Sequence, residues 1–561
     1  MLRRSVLSTP YWTLVLLVAA GIAFSDPGPW SVSPDIVPPQ GRYFARKSYV
    51  PQPLPRFETT RQKLPSPIYD ENPVWVELYW KAWEIAFRNF YEPTRQNGFV
   101  SPYIDAAFNQ NIFLWDTCFL TMFCNVAHPL VPGICSLDNF YAKQYDDGEI
   151  CREISRVNGR DFVQWVNREG NGLFSRWGWD TDEGSLPVKY RGRPEPTPPP
   201  VLTLDALNHP LLAWAELESF RTTGDRERLR MVYEPLVRYY GALQKYLRQG
   251  NGLYITDWAS MDNSPRNPYL RHGGNGVDIS CEMALFARQL SYIARLIGKA
   301  DDARRYSDEA DALSAIINRE MWDDDRKFYF DLQHDGRRAP VKTIAAYWAL
   351  ISGVASRDQA LALAAELGNP ATFGRLNRVP TLAADEEGYD PNGGYWRGAV
   401  WTPTQMMVIR GLERYGYTDL ARQIAIEHLT LVGRVYRRTG TIWENYAPDS
   451  IRQGSPARDN FVGWSGVGPI LFLIEYAIGL QPDAPRNEIV WNLRSDARCG
   501  CERYRFNGRV VSLLAEPGPD GPSKPRISVE SDGALTLRIV RGVREKTYRI
   551  KPGKQTFTFP D

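Results

Sequence analysis

Two short islands of polar and aromatic residues, far apart in the chain, each carry a carboxylate. The first is residues 258–266, with Asp262, and the second is residues 440–446, with Glu444. A carboxylate beside Trp, amide and hydroxyl groups suits the cleavage of a glycosidic bond. That reaction needs one acid that holds its proton and one ionised carboxylate that acts on water or on the anomeric carbon. If Asp262 and Glu444 face each other across one pocket, they could form a sugar-cleaving site.

The setting of Asp262 favours a general acid. Trp258 and Met261 give it an apolar wall, which raises the pKa of a carboxyl group and keeps it protonated, as a general acid requires. The alternative is structural, because Asp-Asn-Ser-Pro at residues 262–265 is also good turn chemistry.

The setting of Glu444 favours a general base. Trp443 precedes it and Asn445-Tyr446 follow it, so that neighbouring amide and hydroxyl groups could hold its carboxylate. The alternative is an ordinary glutamate at a helix start or in a loop among surface aromatic residues.

Further islands hold candidate substrate-binding residues. Asp116 lies in an apolar run, where a carboxylate is costly to bury unless it is hydrogen-bonded; a sugar diol, backbone amides or an arginine could supply that bond. Arg397 lies between two Trp and could clamp sugar hydroxyls or one of the two carboxylates, or make a structural cation–π contact. Asp147 lies in a turn beside Gly148 and could bind substrate; the alternative is that it belongs to an ordinary solvated loop. The candidate set is Trp115, Asp116, Gln144, Asp147, Trp258, Asn263, Trp396, Arg397, Trp401, Trp443 and Trp464.

Composition narrows the class of partner. The chain has 561 residues and a formal charge of +2, with both signs scattered, so it lacks the concentrated basic face that a nucleic-acid partner needs. Its 18 Trp and 29 Tyr suit stacking on sugar rings, although packing in a large core accounts for most of them. Only five His are present, without any Cys-x-x-Cys pair, which argues against a zinc site. We expect neither a metal nor an organic cofactor.

The N-terminus has the order of a secretory signal peptide. Arg3 and Arg4 precede an apolar run, and Ala23-Phe24-Ser25 forms a small-x-small cleavage site. We therefore expect residues 1–25 to be removed and the protein to be exported to the periplasm or outside the cell. An uncleaved segment would instead anchor the chain to a membrane, and no other stretch predicts a membrane span.

The elements that must position the islands are mainly helices. Residues 26–73 are rich in Pro and predict an extended N-terminal segment. Residues 74–481 show apolar residues at helical spacing and predict about ten to twelve helices. Residues 482–561 alternate in polarity and predict a small β-sandwich-like module. Helix pairs closing into a toroid would gather the long loops at one end, although an open solenoid would show a similar pattern.

The islands, in this order, resemble the trehalase and processing α-glucosidase group, glycoside hydrolase families 37 and 63, together with bacterial mannosylglycerate hydrolase-like enzymes. The matching segments are Trp115-Asp116, Gln144 to Gly148, Asn208-His209-Pro210, residues 260–265, Tyr395-Trp396-Arg397-Gly398 with Trp401, and Trp443-Glu444-Asn445-Tyr446. The resemblance implies a mainly α fold, an (α/α)6 toroid, and an inverting mechanism with Asp262 as acid and Glu444 as base. It also implies that the residues lining the subsite for the released sugar are Trp115, Asp116, Gln144, Trp396, Arg397 and Trp401.

Departures from the family pattern fall on substrate-contacting loops. Trp401 is followed by Thr402-Pro403 where those families continue directly with Pro, which argues against trehalase itself. The acid and the base stay in place. We therefore expect an exported inverting exo-glycosidase acting on an α-linked oligosaccharide or glycoconjugate, with its two carboxyl groups about 6.5–9.5 Å apart.

Three alternatives remain from the sequence. An endo-acting glucanase could use the same toroid, and a polysaccharide lyase could use it with a Tyr or His base. A non-catalytic sugar-binding protein would keep the aromatic residues but need not keep both acids.

Overall fold

The computed structural model describes residues 49–106, 108–161, 166–167, 201–202, 209–256, 261–270, 273–519 and 521–559. The expected signal peptide (residues 1–25) and Trp258 lie outside these ranges. Within them, no helix combines the length and the apolar character that a membrane crossing requires.

Helices dominate the chain up to residue 478. They are α1 Pro73–Ala86, α2 Leu114–Cys124, α3 Asp138–Ala142, α4 Leu212–Thr223, α5 Arg226–Leu247, α6 Val277–Leu296, α7 Ala300–Glu320, α8 Trp348–Ser352, α9 Arg357–Glu366, α10 Thr402–Arg414, α11 Thr418–Thr439 and α12 Val467–Ile478, with single turns at Phe57–Thr60 and Asn267–Leu270. Gly224, Gly353 and Gly440 end α4, α8 and α11 in the left-handed conformation, which glycine adopts without steric cost. Helical spacing of apolar residues thus produces helices, and glycines end several of them.

In the described part of the chain, the even-numbered helices contact one another in a closed order. α2 contacts α4, α4 contacts α6, α6 contacts α8, α8 contacts α10, α10 contacts α12, and α12 returns to α2. Every residue of α2 and of α12 is buried, whereas α7 buries only one stripe of its surface. An all-apolar surface belongs to an inner helix and a single stripe to an outer one. The even-numbered helices therefore form an inner layer.

Short strands lie between the helices, and longer strands form a region from residue 480 onward, as the alternating sequence predicts. The short strands are β1 Ser66–Tyr69, β2 Phe90–Tyr91, β3 Tyr103–Ile104, β4 Asn111–Phe113, β5 Glu153–Ser155, β6 Val166–Asn167, β7 Val201–Leu202, β8 Trp322–Asp323 and β9 Phe328–Tyr329. The C-terminal strands are β10 Leu480–Asp483, β11 Glu488–Asn492, β12 Cys499–Phe506, β13 Arg509–Gly518, β14 Gly521–Ser531, β15 Leu535–Arg541, β16 Arg544–Ile550 and β17 Gly553–Thr558. Two larger sheets have the orders β1-β12-β13-β14-β17 and β10-β11-β15-β16. The body is thus helix-rich with a C-terminal β region, as expected.

One part of the N-terminal segment is regular rather than a plain extended lead-in. β1 pairs antiparallel with β12, with Ser66 opposite Glu502 and Tyr69 opposite Cys499. An exposed strand edge carries unpaired N–H and C=O groups, and β1 covers that edge. The segment before the first long helix therefore ties the N-terminal side of the chain to the C-terminal sheet.

Candidate active site

The predicted islands lie next to the ends of the helices that form or feed the inner layer. Trp115 is in the first turn of α2, Trp401 immediately precedes α10, and Trp464 begins the short turn that leads into α12. Asp262 lies in the loop before α6, and Glu444 lies in the loop after α11. The connections between helices thus carry the chemistry, and the helices fix their positions.

Four tryptophans from three islands form one cluster. The rings of Trp396 and Trp401 are stacked, with centroids 4.7 Å apart. Trp464 lies 5.6 Å from Trp401 and 5.6 Å from Trp115, and Trp115 lies 6.5 Å from Trp396. All four side chains are buried. We call this group the tryptophan cluster; its rings pack on one another and on neighbouring aromatic rings, which makes it a rigid apolar base for the site.

Glu444 is buried and held by Arg458. Arg458 Nη1 donates to Glu444 Oε1 at 2.8 Å, and the backbone N of Arg458 donates to Oε2 at 3.1 Å. Burial raises the pKa of Glu444, whereas the charge and hydrogen bonds of Arg458 and a hydrogen bond from Tyr395 oppose that rise. The carboxylate is therefore fixed in direction and has partners that favour its ionised form.

Asp262 is accessible to solvent, yet its pKa is raised to about 6. The main cause is desolvation by the surrounding protein, and the negative charge of Glu444 adds to it, while the charges of Arg152 and Arg458 oppose it. Because Glu444 acts electrostatically on Asp262, the two predicted carboxyl groups lie within range of each other's charge. Burial raises the pKa of both groups, and Glu444 alone is held by an ion pair with Arg458.

The loop that carries Asp262 is anchored by a buried arginine. Arg266 is fully buried, and its Nε and Nη2 donate to the two carboxylate oxygens of Asp331 at 2.8 and 2.7 Å. Its Nη2 also donates to Asp278 Oδ1 at 3.0 Å. Since Asp278 lies in the first turn of α6, the arginine ties the Asp262 loop directly to an inner helix.

Asn263 joins the Asp262 loop to the loop of Tyr395. Its Oδ1 accepts from the backbone N of Trp396 at 2.9 Å, and its Nδ2 donates to the carbonyl of Gly394 at 2.9 Å. The two bonds flank Tyr395, which has a φ of 66°, an uncommon conformation for a non-glycine residue. Both polar groups of this predicted sugar ligand thus bind backbone and hold Tyr395 in place.

Three carboxyl groups surround Tyr395. Burial raises the pKa of its hydroxyl, and the charges of Glu444, Asp262 and Asp116 raise it further. Asp116 is itself buried, its Oδ1 has no hydrogen-bond partner among the described residues, and burial together with the charge of Asp105 raises its pKa. A buried carboxyl group with an unused oxygen, close enough for its charge to act on Tyr395, can bind a hydroxyl group.

Arg458, Phe108, Phe113 and Arg152 contact one another in a row, and the charges of both arginines act on Asp262. The guanidinium carbon of Arg458 lies 4.7 Å from the ring centroid of Phe108, which is stacked on Phe113 at 5.1 Å. Arg152 lies 5.9 Å from the Phe113 centroid. The Arg458 side chain is 51% exposed, so its charge also reaches the solvent at the opening of the site.

Two predicted substrate residues have protein partners instead. Gln144 is buried, and its Nε2 donates to the carbonyls of Gly148 and Pro235 at 2.9 and 2.8 Å. Asp147 Oδ2 accepts from the hydroxyl of Tyr246 at 2.7 Å. These contacts fasten the turn at residue 148 to α5, and a role of either residue in substrate binding stays a prediction.

Two more predicted residues also bond within the protein. Arg397 is exposed and its Nε donates to the carbonyl of Gly388 at 2.8 Å. Trp443 Nε1 donates to Thr439 Oγ1 at 3.0 Å. Trp258, the predicted wall of the acid, lies outside the described residues.

Sequence reasoning missed the cation on the base. Arg397 was a candidate clamp for one of the carboxylates, whereas Arg458 is the arginine that binds Glu444. Arg152 and the positioning role of Tyr395 were missed as well. The only available signal for Arg458 was its place in the long loop after the base, and such a loop has no residue spacing that fixes which side chain turns inward.

Comparison with known proteins agrees with the motifs. Residues 195–465 match the model of the mannosylglycerate hydrolase MGH1-like glycoside hydrolase domain. An uncharacterised protein of Borreliella burgdorferi is 26% identical over 365 residues, which are 62% of this chain and 75% of that protein. A mannosylglycerate hydrolase of Rubrobacter radiotolerans is 33% identical over 143 residues, which are 24% of this chain and 31% of that protein. The chain thus matches less than a third of this characterised relative.

Solved structures agree in fold. A family GH63 mannosylglycerate hydrolase from Thermus thermophilus, in complex with Tris and D-glycerate, has a TM-score of 0.53 and 20% identity, covering 70% of this chain and 99% of that one. At this identity the likeness shows the fold alone. The resemblance read from the motifs is confirmed: residues 195–465, just under half of the chain, match the mannosylglycerate hydrolase MGH1-like glycoside hydrolase domain, and the relatives named mannosylglycerate hydrolase and glucosidase indicate a glycosidase.

Proposed function

We propose that the protein is an inverting, exo-acting glycosidase in which Asp262 is the general acid and Glu444 the general base. The observation that carries this proposal is the contrast between the two carboxyl groups. Asp262 has a pKa raised to about 6 and so holds a proton in mild acid, whereas Glu444 is paired with Arg458. Acid–base cleavage of a glycoside needs two carboxyl groups with different roles, and the ion pair with Arg458 distinguishes Glu444 from Asp262.

The proposed reaction is a single displacement. Asp262 gives its proton to the glycosidic oxygen as the bond to the anomeric carbon breaks. Glu444 takes a proton from a water molecule, whose oxygen attacks the anomeric carbon from the opposite face. Arg458 orients the Glu444 carboxylate through its guanidinium and its backbone N–H and favours the ionised form, and Tyr395 adds a further hydrogen bond. An α-linked substrate then releases a β-configured sugar.

We also propose that the inner and outer helices form an (α/α)6 toroid. The closed order of contacts among the even-numbered helices supports a ring rather than an open solenoid. In such a ring the connections that lead into the inner helices meet at one mouth. This arrangement explains why residues as distant as Trp115 and Trp464 contact each other.

The substrate we propose is an α-linked hexose on a leaving group with a carboxylate. Asp116 and the tryptophan cluster offer a hydrogen bond and an apolar surface to the sugar that is released. Arg152 acts electrostatically on Asp262, the proton donor, so we place this cation on the side where the leaving group departs, whereas Arg458 is bound to Glu444. A relative is named mannosylglycerate hydrolase, and a glycerate carboxylate would suit the charge of Arg152.

The testing experiment follows the anomer of the first product. The purified protein is mixed with mannosylglycerate, with neutral α-mannosides and α-glucosides, and with α-linked oligosaccharides, and proton NMR records the sugar signal before mutarotation. We expect a β-sugar released from the non-reducing end. An α-sugar as first product would rule out inversion, and internal cleavage of a polymer would rule out exo action.

We propose that the protein is exported. The order of basic, apolar and small residues in the first 25 positions supports this location. N-terminal sequencing of the protein purified from its natural host should begin close to Asp26. A mature protein that begins at Met1 would contradict cleavage.

A further inference from the structure

A cavity of about 940 Å³ lies between the helices and the C-terminal β region. Its walls come from α4, α10, α11 and α12 on one side and from residues 481–494 and 538–542 on the other. A second space of about 500 Å³ adjoins it and shares Glu218, Tyr292 and Arg410. The volume is in the range of sites that bind small molecules. We call the larger space the interdomain cavity.

The interdomain cavity lies away from the candidate active site. Trp401 belongs to the tryptophan cluster at the start of α10, while Arg410 and Glu413, near the end of α10, line the cavity. A rise of about 1.5 Å per residue places Arg410 about 13 Å further along the helix than Trp401. Likewise Trp464 precedes α12, while Glu475 near its end lines the cavity. The two spaces are therefore at opposite ends of the same inner helices.

The floor of the cavity is a fixed network of charges. Arg410 Nη2 donates to Glu218 Oε2 at 3.0 Å and to Glu475 Oε2 at 2.8 Å, and Arg410 Nη1 donates to Glu413 Oε2 at 3.1 Å. Arg221 Nη1 donates to Glu218 Oε2 at 2.7 Å. Burial would raise the pKa of Glu218, but the charges of Arg410 and Arg221 outweigh it and lower that pKa to about 2. The carboxylate of Glu218 therefore stays ionised, and the hydrogen bonds from Arg410 and Arg221 hold the acceptor oxygens of this network in fixed positions.

Arg422 adds a cation that has no ion-pair partner in the described part of the chain. It lines the same cavity, its Nε is buried without a hydrogen-bond partner, and its guanidinium makes no ion pair with any residue that the structure describes. A guanidinium in this state is prepared to bind an anion with two parallel hydrogen bonds. Tyr292, 39% exposed, lines the cavity too and offers an aromatic face.

We propose that the interdomain cavity is a second, non-catalytic site, which binds a saccharide that carries a carboxylate or phosphate group. Arg422 binds the anionic group, the oriented carboxylates of Glu218, Glu413 and Glu475 accept bonds from hydroxyls, and Tyr292 stacks on an apolar face of the sugar ring. A neutral apolar ligand does not fit a cavity floored by paired charges, because it would desolvate them without replacing their hydrogen bonds.

The test is hydrogen–deuterium exchange of the full chain with four separate probes: glucuronate, glucose 6-phosphate, glucose and inorganic phosphate. We expect glucuronate or glucose 6-phosphate to protect peptides covering residues 217–221, 410–422 and 475–494, and the pair tells a carboxylate ligand from a phosphate ligand. Because the active site is read from separate peptides, at residues 261–270 and 440–446, binding there does not count as binding in the cavity.

The variant Arg422→Ala tests the anion contact. It should weaken the affinity for the protecting probe about tenfold or more, as the loss of a charge-assisted hydrogen bond does, while Arg422→Lys keeps part of it. Arg304→Ala, at a 70% exposed arginine on the outer helix α7, is the matched control and should bind like the wild type. Unchanged melting temperature shows that the variants fold.

Four results would overturn the proposal. The first is the absence of protection in the cavity peptides with both anionic sugars, and the second is an affinity of Arg422→Ala equal to that of the wild type. The third is equal protection by glucose, which would show that the cavity does not select for an anion. The fourth is protection by inorganic phosphate alone, which would show that the ligand is not a saccharide. Turnover is not part of this test, so its outcome is independent of the proposed hydrolysis.

Discussion

Asn263 Oδ1 lies 2.9 Å from the backbone N of Trp396, and this bond links the loop of the candidate acid to the loop that supports the candidate base. Asn263 follows Asp262 directly, and Trp396 follows Tyr395, which hydrogen-bonds Glu444. A single side chain therefore helps to set the relative position of two carboxyl groups that are distant in sequence.

Replacing Asn263 should impair turnover more than stability. Asn263→Ala removes both bonds that flank Tyr395, and Tyr395 is then free to leave its unfavourable backbone conformation. We expect kcat to fall about ten- to 100-fold, and the free energy of unfolding to fall by only about 1–2 kcal/mol. Steady-state kinetics and urea unfolding measure the two effects. An unchanged kcat would show that the link has no part in positioning the site.

Leaving groups of different basicity should separate the roles of the two carboxyl groups. Asp262→Asn should lower turnover of a natural glycoside about 100- to 10,000-fold, because its alkoxide leaving group needs a proton. Its turnover of a dinitrophenyl glycoside should be much less affected. Glu444→Gln should lose turnover with both substrates.

The control for these two variants is Asp301→Asn, at a carboxylate 93% exposed on α7, which should retain wild-type rates. If Asp262→Asn lost equal activity with both kinds of leaving group, Asp262 would not be the proton donor.

The pH profile should depend on Arg458. In the wild type, kcat/KM should fall above about pH 6 as Asp262 loses its proton, and fall in stronger acid as Glu444 gains one. The Arg458 charge opposes the rise of the pKa at both groups, so Arg458→Ala should move both limbs to higher pH by about one unit or more. Arg458→Lys keeps the charge and should move them less. Limbs that stay in place in Arg458→Ala would show that this cation does not tune the pair.

Asp262→Asn should also change how stability depends on pH. The pKa of Asp262 is about 6 in the folded protein and 3.8 in the reference state, so the folded state binds its proton more tightly. The stabilisation is complete below about pH 4 and is lost as the pH rises through 6. The melting temperature of the variant relative to the wild type should therefore increase between pH 4 and pH 7. A constant difference over this range would contradict a raised pKa.

Arg266 should be required for folding rather than for chemistry. Arg266→Ala leaves Asp278 and Asp331 as buried carboxylates without their cation, which costs about 3–5 kcal/mol. Denaturant unfolding should show this loss directly. Arg319→Ala, at an exposed arginine, is the control and should change stability by less than about 0.5 kcal/mol.

The sequence by itself predicted the main helices and C-terminal strands and the resemblance to glycosidases. It also singled out Asp262 and Glu444 as the candidate catalytic residues. Apolar spacing and alternation are local properties, so they predict the helices and the C-terminal strands without knowledge of the fold. A carboxylate among aromatic and amide groups is visible in the same way. The sequence could not assign partners to the polar groups: Asn263, Gln144 and Arg397 look like ligands, but their hydrogen bonds go to backbone carbonyls and amides.

Only the tertiary structure decided which charges act on the two acids. Arg458 and Arg152 come from loops with no recognisable spacing, and their effect on Asp262 depends on distance and burial rather than on sequence separation. The cavity at the far end of the inner helices was equally invisible, because its walls join α4, α10 and α12 to strands near the C-terminus. Electrostatic energy and cavity shape are properties of packed neighbours, and packing is settled only when the helices close on one another.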